Sequence, residues 1–168
     1  MEQDAVSALP AQAHVVGVKS WLAYAGVIAL ALLLGLLFVA LRRYQGVEGA
    51  GVDDVVAGAV LAVSALLVGY RFLMVRSVLL YYDDVGVWAF SGVLPWKKGV
   101  VGVKWRDMDE ATFEKSFWSW VTGSYTVHIR HRYTKASEIM LTNIANGKHA
   151  VSVLSAKHQE MIRAGIID

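Results

Sequence analysis

The chain contains no cysteine, and it lacks the motifs of the common enzyme classes. The absence of cysteine excludes disulfide bonds and thiolate ligands for a metal. The sequence has no G-x-S-x-G, no P-loop, no H-E-x-x-H and no glycine pattern for dinucleotides, so none of these catalytic chemistries is indicated. The net charge is only +2. We therefore expect a protein that is not an enzyme and has no cofactor, no metal and no nucleic-acid partner, and the sequence identifies no small-molecule substrate.

Charge is also absent from two stretches in the first half of the chain. Residues 20–41 include the run WLAYAGVIALALLLGLLFVAL, and a helix of this length is roughly 30 Å long, which matches the hydrocarbon core of a bilayer. Residues 55–70 form the second uncharged run. This run reaches the required length when Arg71 extends its side chain to the headgroups and the helix continues a little further. The sequence therefore predicts a transmembrane hairpin with spans at about residues 21–41 and 54–75.

The chain divides into an N-terminal tail (residues 1–19), the hairpin (residues 20–75) and a domain (residues 76–168). Trp21 opens the first span, where an amphipathic ring is suited to the membrane interface. The first apolar run exceeds the ~7–15 residues of a signal-peptide core and has only Lys19 as its basic flank. We expect a retained anchor. The domain is long enough for one modest hydrophobic core.

The basic residues around the spans are distributed unevenly. The loop between the spans carries Arg42 and Arg43. The basic residues on the side of the termini are Lys19, Arg71, Arg76, Lys97 and Lys98. Because cytoplasmic flanks are enriched in Lys and Arg, this distribution predicts a cytoplasmic N-terminus and a cytoplasmic C-terminal domain.

Small residues recur along one face of the second span. They are Gly58, Ala62, Ala65 and Gly69. Their spacings of four, three and four residues place them on one helix face, where two helix backbones can approach closely. Two interpretations are open: the face packs against the first span of the same chain, or it packs against another copy in an oligomer. No Asp, Glu, Lys or His lies within residues 20–41 or 55–70, which argues against a transport pathway in a single chain.

After the second span the periodicity changes from helical to alternating. Residues 77–83 and 86–92 predict a hairpin. The next predicted strands are residues 96–105, 108–116, 124–133 and 137–144, with a short irregular or single-turn segment at 117–124. The two glycines of the third strand are compatible with a bulge. Residues 148–165 have helical spacing. We expect an α+β protein, in which an antiparallel sheet of about six strands is capped by one C-terminal helix.

The order of these elements resembles that of a known family. The residues that carry the resemblance are 82–87 (YDDVGV), 91–94 (SGVL) and 123–129 (GSYTVHI). The chain is similar to bacterial membrane proteins with a pleckstrin-homology-like (PH-like) domain of the YdbS/YdbT-like type. The resemblance implies two membrane spans followed by a PH-like antiparallel sheet or barrel with a C-terminal helix. It also implies a cytoplasmic domain used for assembly or scaffolding, without enzymatic activity, and it supplies no ligand.

Basic residues flank the third predicted strand and form the first candidate site. They are Lys97, Lys98, Lys104 and Arg106, with Trp96 and Trp105 between them. Such residues can approach anionic headgroups, where each charge contributes about 1 kcal/mol. The alternative is a solvated strand edge whose lysines discourage edge-to-edge pairing.

The segment FWSW, residues 117–120, is the second candidate. Dense aromatic residues in a turn either cap the sheet, bind a protein partner or anchor at a membrane interface. We expect Phe117 and one tryptophan to cap the core, and the other of Trp118 and Trp120 to contact a partner. The histidines, by contrast, have no spacing that predicts a metal site.

These observations favour a non-enzymatic scaffold or assembly subunit in the bacterial inner membrane. We expect the PH-like domain to mediate homo- or hetero-oligomerisation, with the lipid bilayer and other subunits as partners. The alternative function is peripheral sensing of anionic lipid headgroups by the basic strand.

Overall fold

The computed structural model describes residues 12–48, 54–94, 96, 98–133 and 138–167. The chain forms two compact units. The helical hairpin comprises Ala23–Val75, and the sheet domain comprises Met1–Leu22 together with Arg76–Asp168. Two long apolar helices, antiparallel sheets and a C-terminal helix confirm the predicted α+β class.

The hairpin consists of helices α1 (Trp21–Glu48) and α2 (Asp54–Arg76). The segments Trp21–Arg43 and Val56–Arg76 are long and apolar enough to cross a membrane, with mean hydropathies of 2.6 and 1.9. Large apolar side chains are exposed along both helices, including Leu36 at 71% and Leu66 at 73%. A surface of this kind is suited to lipid. The two apolar helices agree with the predicted spans, and the segment that connects them, residues 49–53, lies outside the described residues.

A four-stranded antiparallel sheet is the first layer of the sheet domain. Its strands, in spatial as well as chain order, are β1 (His14–Val18), β2 (Leu79–Tyr82), β3 (Gly86–Ser91) and β4 (Gly99–Lys104). Strand β1 lies within the predicted N-terminal tail. It pairs with β2 from His14 opposite Tyr82 to Val18 opposite Leu79. The chain on both sides of the hairpin is therefore part of one sheet.

A three-stranded antiparallel sheet and two helices complete the domain. The strands are β5 (Met108–Phe113), β6 (Ser124–His131) and β7 (Ile139–Ala145), paired in that order. A 3₁₀ turn (Trp105–Asp107) leads into β5, helix α3 (Phe117–Thr122) connects β5 to β6, and helix α4 (Gly147–Arg163) follows β7. The prediction of a single sheet was wrong, because the described residues form two separate sheets. They contain seven strands, one more than the six expected, because β1 joins the first sheet.

The described part of the third predicted strand, β4, contains no bulge. Strands β3 and β4 pair without a register shift from Gly86 opposite Lys104 to Ser91 opposite Gly99. Gly102 lies opposite Trp88, and a Cβ at Gly102 would lie 1.9 Å from the Trp88 ring. The glycine therefore leaves room for a neighbouring ring.

The core lies between the sheets and α4. Its fully buried side chains include Leu80, Val87, Val103, Trp105, Met108, Val127, Ile129, Ile144 and Leu154. Helix α4 buries Val151, Leu154 and Met161 at spacings of three and seven residues, which places them on one face. The predicted C-terminal helix is thus confirmed as an element of the core.

Candidate functional site

The small-residue face of α2 is exposed. Its members, Gly58, Ala62, Ala65 and Gly69, are all accessible in the single chain. A Cβ built on Gly58 or Gly69 would meet no atom within 4 Å. The half-buried residues Ala57, Ser64 and Val68 lie on another face, about 100° around the helix. Within the described residues, helix α1 does not cover the small-residue face. Packing of this face within the chain and packing against another copy both stay predictions.

The described basic residues around β4 do not form one patch. Lys98 precedes the first residue of β4, and Lys104 is its last residue. At about 3.3 Å per residue, their backbones are roughly 20 Å apart. Arg106 lies two residues beyond Lys104, and its Nε is 3.6 Å from the carboxylate of Asp107. Lys97 lies outside the described residues.

Helix α3 carries the predicted aromatic segment on the surface. Phe117, Trp118 and Trp120 are 68%, 70% and 75% exposed, and no residue of the helix is buried. The ring of Phe117 lies 5.6 Å from that of Trp118 and 6.5 Å from that of Trp120. The expectation that Phe117 and one tryptophan cap the core was therefore wrong. The aromatic residues contact each other and leave most of their area free.

Local interactions explain why this short segment is helical. Ser116 caps the N-terminus, since its hydroxyl accepts a hydrogen bond from the Ser119 amide at 3.1 Å. The Thr122 hydroxyl donates to the Trp118 carbonyl at 2.7 Å. Gly123 ends the helix in the left-handed region at φ 64°, a conformation that glycine adopts without strain. The exposed aromatic residues are thus held on an ordered helix.

The residues that precede α1 are hydrogen-bonded to β7 of the second sheet. Lys19 forms a β-bridge with Ile144, and the Ser20 amide donates to the Asn143 carbonyl at 2.7 Å. The indole Nε1 of Trp21 donates to the Thr122 carbonyl at 3.2 Å. The first residue of α1 is therefore hydrogen-bonded to the last residue of α3. Sequence reasoning missed this contact, because the two residues are 101 positions apart.

Burial lowers the pKa of Lys19 from its ordinary value of 10.5. Its ammonium donates to the carbonyl and to the hydroxyl of Thr142. Because these acceptors are neutral, they only partly replace the water that the ammonium loses. Lys19 is thus a half-buried cation at the junction of β1 and α1.

A second junction follows α2. Ser77, which comes directly after Arg76, accepts a hydrogen bond from the Gly92 amide at 3.2 Å. Gly92 begins the turn between β3 and β4, and this turn carries Trp96 at 77% exposure. We call the end of the sheets that holds Ser20, Trp21 and Ser77 the span end, because these residues adjoin the two apolar helices. Helix α3 and the β3–β4 turn both lie there.

The opposite end of the second sheet is polar. A cavity of about 610 Å³ is lined by Asp109, His128, Arg130, His131, Arg132, Tyr133 and Glu138. Nε2 of His128 lies 3.2 Å from a carboxylate oxygen of Glu114. Within the described residues, no group of three or more His, Cys, Asp or Glu is placed to hold a metal ion. This cavity was not predicted, because its charged residues are spread over β5, β6 and the chain before β7.

Comparisons with protein-family models, with curated proteins and with solved structures found no match to this chain.

Proposed function

We propose that this protein is a non-enzymatic integral membrane scaffold or assembly subunit whose hairpin self-associates in the bilayer. The observation that carries the proposal is the exposed small-residue face of α2, which the described part of the chain leaves uncovered. In lipid, apolar burial does not drive helices together, so close backbone contact along such a face is a main source of association. A second copy of the same chain is present in any membrane that holds the first, so we propose a homo-oligomer.

The strand pairing supports one arrangement across the membrane. Strand β1 precedes the first apolar helix and β2 follows the second, and the two are neighbours in one sheet. Both ends of the hairpin therefore belong on the same side. The excess of Lys and Arg on that side favours the cytoplasm, and we place the protein in a bacterial inner membrane on the strength of the family resemblance.

We further propose that the sheet domain is PH-like and contributes to assembly. The support is the order of two apolar helices, antiparallel sheets and a C-terminal helix, together with the sequence segments that resemble the family.

Native mass spectrometry of the full-length protein in lipid nanodiscs tests self-association. The variants Gly58→Leu and Gly69→Leu add bulk to the small-residue face, and we expect them to convert a defined oligomer into monomer. The matched control is Val60→Leu, because Val60 is exposed about 190° from the centre of that face. A monomeric wild-type protein, or equal effects of all three variants, would contradict the proposal.

The rival function, sensing of anionic headgroups by the basic strand, has weaker support. Of the described basic residues around β4, only Lys98 lies at the span end, and Lys104 pairs with Gly86 at the opposite end of the sheet. Charge reversal separates the two functions. If headgroups are read by the whole strand, Lys98→Glu and Lys104→Glu each weaken salt-sensitive association with vesicles that contain phosphatidylglycerol.

A further inference from the structure

The six tryptophans of the chain separate into two groups. Trp105 is 1% exposed and Trp88 is half-buried against Gly102, so both belong to the first sheet and its core. The other four are largely exposed: Trp21 at 64%, Trp96 at 77%, Trp118 at 70% and Trp120 at 75%. Four exposed indole rings are unfavourable on a surface that faces water, because each ring leaves a large apolar area in contact with solvent.

All four exposed tryptophans lie at the span end of the sheet domain. Trp21 is the first residue of α1, and its indole nitrogen donates to Thr122 at the end of α3, which carries Trp118 and Trp120. Trp96 lies in the β3–β4 turn, which the hydrogen bond between Gly92 and Ser77 ties to the residue after α2. Two independent hydrogen bonds thus place both aromatic segments at the end of the sheet domain that holds Trp21 and Ser77.

The chemistry of α3 matches the interfacial layer of a bilayer. The helix FWSWVT contains no charged residue, and its aromatic residues combine a large apolar ring with, in tryptophan, one N–H donor. Such rings are most stable where hydrocarbon meets hydrated headgroups. Lys98 and Lys115 flank the two segments, and lysine stems can reach from an interface to water.

We propose that Trp96, Phe117, Trp118 and Trp120 insert into the interfacial layer of the leaflet that α1 enters at Trp21, and so seat the sheet domain on the membrane. This proposal rests on the membrane insertion of the hairpin proposed above. The occupant of the aromatic surface is the lipid itself. The contact is apolar and does not depend on the headgroup, which distinguishes it from reading anionic lipid by charge.

The absence of cysteine from the sequence allows a direct test with single nitroxide labels. Trp96→Cys, Trp118→Cys and Trp120→Cys are labelled in the full-length protein and reconstituted in phosphatidylcholine vesicles. The matched aqueous controls are Tyr133→Cys and Val85→Cys, whose side chains are 72% and 55% exposed at the end of the sheets opposite the span end. Leu33→Cys, at 62% exposure within α1, reports on the hairpin.

The measured quantity is the collision rate of each label with oxygen relative to a water-soluble nickel chelate. We expect this ratio at positions 96, 118 and 120 to lie between the high value at Leu33 and the low values at Tyr133 and Val85. Addition of phosphatidylglycerol or salt leaves the ratio unchanged. Because the replaced tryptophans are exposed, circular dichroism of the labelled proteins matches that of the wild type.

Each contrary result has one meaning. An aqueous ratio at 96, 118 and 120 with a membrane ratio at Leu33 overturns the seating proposal alone. An aqueous ratio at Leu33 as well overturns the proposed membrane insertion. Labels that are shielded from both reagents lie in a protein contact, which also overturns the lipid as the occupant.

Discussion

Replacement of Gly102 by alanine tests the packing of the first sheet. A Cβ at this position would lie 1.9 Å from Cε3 and 2.2 Å from Cζ3 of Trp88, whereas ordinary contact begins at 3.4 Å. The ring must therefore move by about 1.5 Å, and overpacking of this kind costs typically 1–3 kcal/mol. Because Trp88 is half-buried, its ring can partly turn towards solvent. We expect Gly102→Ala to reduce the free energy of unfolding by about 2 kcal/mol.

Thermal unfolding of the full-length protein in detergent, followed by circular dichroism of the sheets, measures this effect. For a domain of this size we expect Tm to fall by about 8–16 °C. Gly99→Ala is the matched control in the same strand, since a Cβ at Gly99 would meet nothing within 4 Å, and it should change stability by less than about 0.5 kcal/mol. In a Trp88→Ala background the cost of Gly102→Ala should nearly disappear. Equal effects of the two glycine variants, or an unchanged cost without Trp88, would refute the reasoning.

Two further predictions concern α4 and the junction before α1. Leu154→Ala removes a fully buried side chain, so we expect a loss of about 2–5 kcal/mol by the same thermal assay, against little change for the exposed control Gln159→Ala. Lys19 has a folded-state pKa below 10.5, so the unfolded chain binds its proton more tightly. Its burial therefore costs stability at neutral pH, and this cost disappears as the pH rises from the lowered pKa to 10.5. Chemical denaturation across that range should show the free energy of unfolding rising with pH in the wild type and no such rise in Lys19→Met. The same slope in both proteins would exclude Lys19 as the source of the rise.

The elements with a strong local pattern were predictable from the sequence. Long uncharged runs gave the two apolar helices, and the cluster Asp83–Gly86 gave the hairpin turn, in which the Asp83 carboxylate accepts from the Val85 and Gly86 amides at 2.8 and 2.9 Å. The C-terminal helix was predicted because its apolar residues recur at helical spacing within one continuous stretch of the sequence. The short aromatic turn was also predicted, and its cap at Ser116 is local.

Features that depend on distant contacts were not predictable. Strand β1 pairs with a strand more than sixty residues away, and its Gly17 is needed because a Cβ there would lie 2.9 Å from Ile144 of the other sheet. In the sequence Trp105 lies between the basic residues of the first candidate site, but the structure buries its side chain. Its Nε1 donates to the Asp83 carbonyl at 2.8 Å, and its ring is stacked on that of His158. The burial of Trp105 depends on where α4 packs, and the residues near Trp105 in the sequence do not predict that position.

The exposure of the candidate residues was hardest to infer. A dense aromatic segment is compatible with a core cap or with a surface, and only the position of α3 outside the sheets decides between them. The small residues of α2 likewise lie on one face by their spacing alone, but whether α1 covers that face depends on how the two helices pack. The basic residues around β4 look adjacent in sequence, although an extended strand separates them by roughly 20 Å.

Disulfide cross-linking along α2 tests self-association most directly. The wild-type chain has no cysteine, so any disulfide in a single-cysteine variant joins two copies. A disulfide requires Cα atoms within about 7 Å, and we expect Ala62→Cys and Ala65→Cys to give covalent dimers on mild oxidation in native membranes. Val60→Cys, exposed on the opposite face, should remain monomeric. Dimers from Val60→Cys alone, or from none of the three variants, would contradict an assembly through the small-residue face.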